Sequence, residues 1–199
     1  MHRLVRSFVI AGALLASAPT AAQYGGSDGE AFVKAMHDGD GGKALELINK
    51  PGSTVVNYRG GDGDAALHIA MHNRNPNWVG FLLSKDADPD IGDKNGDTPL
   101  IIAARIGFTE GAARMLMKHA QVDKTNKLGE TALIVAVQAR QSPIVKMLLE
   151  AGADPDLADH ASGYTAREYA KRDNRSKDIV TLIETVKSAK KATVGPVRP

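Results

Sequence analysis

The sequence predicts an all-α solenoid of about five stacked helix-turn-helix units joined by short hairpin-like fingers, and three observations carry that reading. The first is an internal repeat: Gly63-Asp64-Ala65-Ala66-Leu67, Gly96-Asp97-Thr98-Pro99-Leu100, Gly129-Glu130-Thr131-Ala132-Leu133 and Gly163-Tyr164-Thr165-Ala166-Arg167 follow one another at offsets of 33, 33 and 34 residues. The second is a further phrase in the same phase, because Leu82-Leu83-Ser84-Lys85-Asp86-Ala87-Asp88-Pro89-Asp90 returns as Leu148-Leu149-Glu150-Ala151-Gly152-Ala153-Asp154-Pro155-Asp156. The third is composition: 43% of residues are hydrophobic but only 5% aromatic, which argues against a thick globular core and suits a thin, repetitive one.

Taken in chain order, the first residues are a targeting segment. Arg3 and Arg6 precede an apolar run from Phe8 to Ala18, followed by small residues, which is the pattern of a secretory signal. Ala16-Ser17-Ala18 and Thr20-Ala21-Ala22 are both possible cleavage points, but Pro19 stands just after the first. Residues 1–22 are therefore assigned as a signal peptide, with Gln23 starting the mature chain in the periplasm or outside the cell. Eleven apolar residues fall short of the roughly 20 a spanning helix needs, so no stable membrane anchor is expected after cleavage.

Residues 23–27 read as a linker. The unit 28–58 carries Phe32, Ala35, Gly39, Leu47 and Ile48, the apolar marks of a helix pair without the leading threonine phrase, as a capping unit at the end of a stack would. Three full repeats follow at 59–95, 96–128 and 129–162. In the second, Leu100, Ile101, Ala103 and Ala104 line one amphipathic segment and Ala112, Met115 and Leu116 another, on either side of Gly107. One such pair hides only one side against its neighbour, so stability must come from stacking.

Start and turn signals agree with this. Thr98 and Thr131 are expected to cap the first helices of their units, with Pro99 in the first turn, while Asn75-Pro76 and Ser142-Pro143 do so for second helices. Asp93-Lys94-Asn95-Gly96 supplies an Asn-Gly pair for a tight reversal between units. Unit 163–188 places Arg167 where the others have Leu67, Leu100 and Leu133, as expected of an exposed last face. Residues 189–199, with Lys190, Lys191 and Arg198, read as a disordered basic tail.

Two positions inside the stack are unusual. The glycine expected after the first helix of a unit is present at Gly39 and Gly107, becomes Asn174 in the last, and is replaced by Arg74 and Arg140. Arginine is disfavoured at positive φ, so either those turns are strained or the helices end differently there. Trp78 is a large residue at a position whose equivalent one repeat later is Gly111. A large side chain filling the space left by a small one is the expected packing.

The repeated phrases closely resemble the ankyrin repeat family, whose pattern is Gly-x-Thr-Pro-Leu-His-x-Ala-Ala, a leucine pair and Gly-Ala-Asp on a period of 33. The resemblance covers approximately Asp28 to Val186. It implies protruding fingers at the Asn-Gly reversals, a structural hydrogen-bonding role for His68, and a concave groove that grips partner proteins.

Several chemistries are excluded or unsupported. The cysteine count is zero, which removes disulfides, thiolate metal sites, cysteine nucleophiles and the acylated cysteine of a lipoprotein. Losing Arg3 and Arg6 lowers Lys+Arg from 25 to 23 against 23 Asp+Glu, so the net charge of +2 falls to zero and nucleic acid is not expected as a partner. His68 and His72 lie four apart, a spacing that can hold a metal, but no flanking carboxylate completes a site. The acids of 86–90 and 154–156 lack the alternating ligands and terminal glutamate of a calcium loop. No catalytic centre, cofactor or metal is assigned.

The resemblance places partner-binding positions between the framework residues: Asp62, Asp64, His72, Asn73, Lys94, Asn95, Asp97, Arg105, Ile106, Lys127, Leu128, Glu130, Gln138, His160, Tyr164 and Arg172. Of these, Ile106 and Leu128 are apolar where water is expected, and His72, Arg105 and Tyr164 are types that anchor interfaces. The expected function is a non-catalytic, monomeric module that binds a protein partner of unknown identity in the periplasm. Related exported ankyrin proteins imply support of an enzyme or neutralisation of a toxin. A secreted effector acting on host proteins, or an enzyme with a site between repeats, are the alternatives.

Overall fold

The computed structural model describes residues 25–193, so the expected signal peptide, residues 1–22, and the last residues of the expected tail lie outside the described part. Within it ten α-helices and a short 3-10 turn follow in order: α1 Gly25–Asp38, α2 Gly41–Ile48, the turn Val55–Asn57, α3 Ala66–His72, α4 Pro76–Ser84, α5 Pro99–Ile106, α6 Thr109–Met117, α7 Ala132–Gln138, α8 Ser142–Ala151, α9 Ala166–Arg172 and α10 Lys177–Thr193. Helices α1, α3, α5, α7 and α9 form one row, each against the next, and α4, α6, α8 and α10 form the row behind. The architecture is an all-α repeat solenoid. No described helix is long and apolar enough to cross a membrane.

The seam between units is built from the repeated apolar positions. Leu67, Leu100 and Leu133 are at most 1% exposed, and Ile101, Met115, Ile144 and Leu148 are fully buried beside them. At roughly 25 cal/mol per Å² of apolar surface removed from water, each helix pair gains only by leaning on its neighbours. The fingers are minimal hairpins, closed by isolated antiparallel bridges at Arg59 with Ala65, Thr125 with Thr131 and Ala158 with Thr165.

Most caps lie where the sequence places them. The Thr98 hydroxyl accepts the Ile101 N–H at 3.3 Å, Thr131 accepts from Ile134 at 3.2 Å, and Asn75 Oδ1 accepts from Trp78 at 3.1 Å. Thr165 forms a reciprocal box with Glu168. Ser142 departs from expectation: Gln141 holds the cap position of α8 without a side-chain bond, and the Ser142 hydroxyl donates instead to Asp178 in the first turn of α10. A carboxylate in the neighbouring unit is the stronger acceptor.

The arginine turns are left-handed, with φ 47° at Arg74 and 54° at Arg140. Each side chain then reaches into the next unit: Arg74 donates to the Ile106 carbonyl and Arg140 to the Asp173 carboxylate. The backbone strain is offset by a bond between repeats. Asn174 is not among the positive-φ residues, because α9 ends in extended backbone at Asp173, ψ 104°. Arg140→Gly relieves the strain while losing the bond, whereas Arg140→Ala loses the bond and keeps a Cβ in the left-handed region. The alanine variant is therefore expected to melt below the glycine variant; the reverse order in thermal unfolding contradicts this account.

Three further expectations change. Trp78 is half-buried and packs edge-on against Phe81, ring centroids 5.4 Å apart, beside Gly41. The space over Gly111 is filled by Phe108 and Met71 instead, which a Cβ there would meet at 2.4 and 2.8 Å. Arg167 is not on an open face: its side chain is 18% exposed and its Nε–H donates to Asp156 Oδ1 at 2.8 Å. Helix α1 begins inside the expected linker, and α10 runs to Thr193, past the expected boundary at 188. The lysines and alanines there are good helix formers, and cations suit a helix C-terminus.

Candidate functional site

Three of the fingers are folded around an acceptor side chain at the base, a place that Gly60 takes in the first finger. Asp93 Oδ1 takes the N–H groups of Asn95 and Asp97 at 2.7 and 2.8 Å. One unit on, Asn126 Oδ1 takes those of Leu128 and Glu130 at 2.9 and 3.0 Å. In the last finger Asp159 Oδ1 takes those of Ser162 and Gly163 at 2.6 and 3.1 Å. Burial acts to raise the Asp159 carboxyl, but the Tyr169 hydroxyl and these N–H donors outweigh it and hold the group below the ordinary aspartate range. Sequence reasoning missed this series, although Asp93, Asn126 and Asp159 recur every 33 residues.

Successive fingers are also locked to one another. The Lys127 N–H donates to the Asn95 carbonyl at 2.9 Å, and the His160 N–H to the Leu128 carbonyl at 2.8 Å. Gly129, at φ 77°, lies so close under the next finger that a Cβ would come within 2.7 Å of the His160 nitrogen. The finger tips therefore form a rigid, regularly spaced edge.

Below that edge the structure opens a groove of about 680 Å³ between the fingers and the first helices. It brings together Asp62 and Asp64 from the first finger, His72 and Arg105 from α3 and α5, Lys94, Asn95 and Asp97 from the second finger, and Lys127, Leu128 and Glu130 from the third. Asp93, Asn126 and Ile102 line it as well and were not anticipated. Leu128 is 54% exposed, an apolar side chain at the finger tip.

Not every expected residue is free to contact a partner. Asp97 is 7% exposed; its carboxylate accepts from Arg105 and from the Asn126 amide, both at 2.7 Å, so it braces two fingers. Ile106 is half-buried against the core, so only part of its side chain faces water. Asn73 is exposed at the end of α3, outside the lining of this groove.

Gln138 and Arg172 line a second, smaller hollow of about 400 Å³ with Val137, Arg140, Tyr169 and Asp173. Tyr164 is half-buried; the Arg172 guanidinium lies over its ring, 4.5 Å from the centroid, and Tyr169 packs edge-on to it. His160 is exposed beside the third finger. His68 is fully buried, with Nδ1 accepting the Ala65 N–H at 3.0 Å and Nε2 donating to the Ile91 carbonyl at 2.9 Å. Both ring nitrogens are occupied, so His68 cannot pair with His72 on a metal.

A family model described as ankyrin repeats, three copies, matches residues 67–159 and 110–189. A putative palmitoyltransferase, ZDHHC13 of Danio rerio, is 31% identical over 130 residues, which is 64% of this chain and 20% of that protein. The chain thus spans about a fifth of the length of that relative.

Proposed function

The chain belongs to the ankyrin-repeat family, and from that premise we propose that it is a periplasmic, non-catalytic binding module that grips a protein partner in the groove between its fingers and first helices. Ankyrin repeats serve as protein-interaction modules, and the observation that carries the reading here is the interlocked finger edge. Backbone bonds from Asn95 to Lys127 and from Leu128 to His160 fix the spacing of exposed side chains before any partner arrives. Preorganisation of that kind lowers the ordering cost of association.

The best anchors are Lys94, Lys127 and Leu128, which are exposed on adjacent fingers, rather than Ile106 or Tyr164, which are half-buried. A groove of this length suits a contact of roughly 800 Å² per partner. The periplasmic address rests on Arg3, Arg6 and the apolar run that follows them.

The test is affinity capture from periplasmic extract with three baits: the mature chain, a variant with Lys94→Glu, Lys127→Glu and Leu128→Ser, and an outer-helix control with Lys146→Glu. The groove variant is expected to recover the specific partner at least about tenfold less well, since loss of one well-placed anchor alone is worth 1 kcal/mol or more. The control should match the parent. Equal recovery by all three baits removes the groove assignment, and no protein enriched by the parent bait removes the binding-module reading.

A further inference from the structure

We propose that His37, Asp62 and Asp64 form a binding site for a divalent transition-metal ion, joining the capping unit to the first full repeat. His37 lies in the last turn of α1, and the two aspartates flank Gly63 at the tip of the first finger. His37 lies far from the two aspartates in sequence, yet one ligand atom from each of the three lies within 4.8 Å of the others.

The local structure aims these groups. The first finger is closed by the Gly60 N–H to the Asp64 carbonyl and the Gly63 N–H to the Gly60 carbonyl, both at 2.9 Å. That fold brings the Asp64 N–H to Asp62 Oδ1 at 3.0 Å, which turns Oδ2 of the same carboxylate towards the imidazole. His37 Nε2 stands 3.0 Å from it, and the Asp64 carboxylate completes the triangle. A hydrogen bond between His37 and Asp62 accounts for two members of the cluster; it gives no role to the second carboxylate on the same spot.

The donor set selects the ion. One imidazole nitrogen with two carboxylate oxygens favours zinc, cobalt, nickel or manganese over calcium and magnesium, which take oxygen alone. All three side chains come from the protein surface or near it, so water would fill the other positions and the affinity would be modest. Because the ligands come from α1 and from the finger of the next unit, a bound ion would tie the two together and stabilise the folded chain by mass action.

The experiment titrates the purified mature chain with zinc chloride or cobalt chloride alone, followed by calorimetry, cobalt absorbance and thermal unfolding. One saturable equivalent and a raised melting temperature are expected. His37→Gln and Asp64→Asn should each weaken binding by roughly tenfold or more, as loss of one ligand from a three-ligand set does, while leaving metal-free melting unchanged. Two variants are used so that a folding defect in one does not decide the outcome, and both retain the exposed His72 and His160. No saturable binding below about 1 mM, a level corresponding to only about −4 kcal/mol, or unchanged binding in both variants overturns the assignment.

Discussion

Shortening Leu133 to alanine is expected to cost about 2–5 kcal/mol of folding free energy. Leu133 is fully buried in the first turn of α7, a helix that packs against α5, α8 and α9. Removing its branched end strips contacts from the interface on each side and leaves a cavity that rigid neighbouring helices cannot collapse. In a stack whose stability is a sum of neighbour interfaces, damage at the centre weakens two of them together. Leu45, on α2 and 41% exposed, is the internal comparison, and its alanine variant should stay within about 0.5 kcal/mol of the parent. Urea denaturation measures both; a Leu133→Ala loss below about 1 kcal/mol, or one no larger than that of Leu45→Ala, contradicts the stacking account.

Replacing His68 by leucine is expected to be of comparable severity for a different reason. Leucine keeps most of the volume but strands the Ala65 N–H and the Ile91 carbonyl, which the imidazole serves at 3.0 and 2.9 Å. Each buried polar group left without a partner costs about 1–3 kcal/mol. The same residue gives stability a pH dependence. Burial drives the His68 pKa below its ordinary value of 6.5, and Nδ1 must stay unprotonated to accept. The unfolded chain therefore binds the proton more readily than the folded one. This contribution is complete above 6.5 and is lost as pH falls through that value towards the lower folded pKa, with a slope of at most about 1.4 kcal/mol per pH unit. In His68→Leu that part of the slope should vanish; an identical pH profile in parent and variant would refute the assignment.

The helical register was legible because its signals are local and repeated. Thr98 and Thr131 cap where a hydroxyl precedes an apolar run, and Leu67, Leu100 and Leu133 fall inward because the repeat fixes their phase. What remained hidden depends on the third dimension. Ser142 prefers Asp178 to its own helix, and nothing in their spacing announces that meeting. Gly111 had to be filled by something large, but whether by Trp78 or by Phe108 and Met71 depends on which way each side chain leaves its helix. Arg74 and Arg140 looked like poor turn residues until their bonds to the following unit were visible.

The groove was partly legible in the same sense. A repeat phase locates positions between framework residues, and it brings Asp62, Lys94 and Lys127 onto one face. It cannot say which of those side chains a neighbour has already claimed. Asp97 is held by Arg105 and Asn126, and Tyr164 by Arg172 and Tyr169, so the anchoring burden shifts to Lys94, Lys127 and Leu128. The approach of His37 to Asp62 and Asp64 likewise needs the packing of α1 against the first full unit.

Site-specific photocrosslinking tests the binding face most directly. A photoreactive amino acid placed at Leu128, on the third finger, and separately at Lys146, on the outer side of α8, reports which surface the partner touches in living cells. Covalent capture of a discrete partner protein from the Leu128 position and none from Lys146 is the expected result. Capture from Lys146 alone would place the contact on the back of the stack and contradict the account.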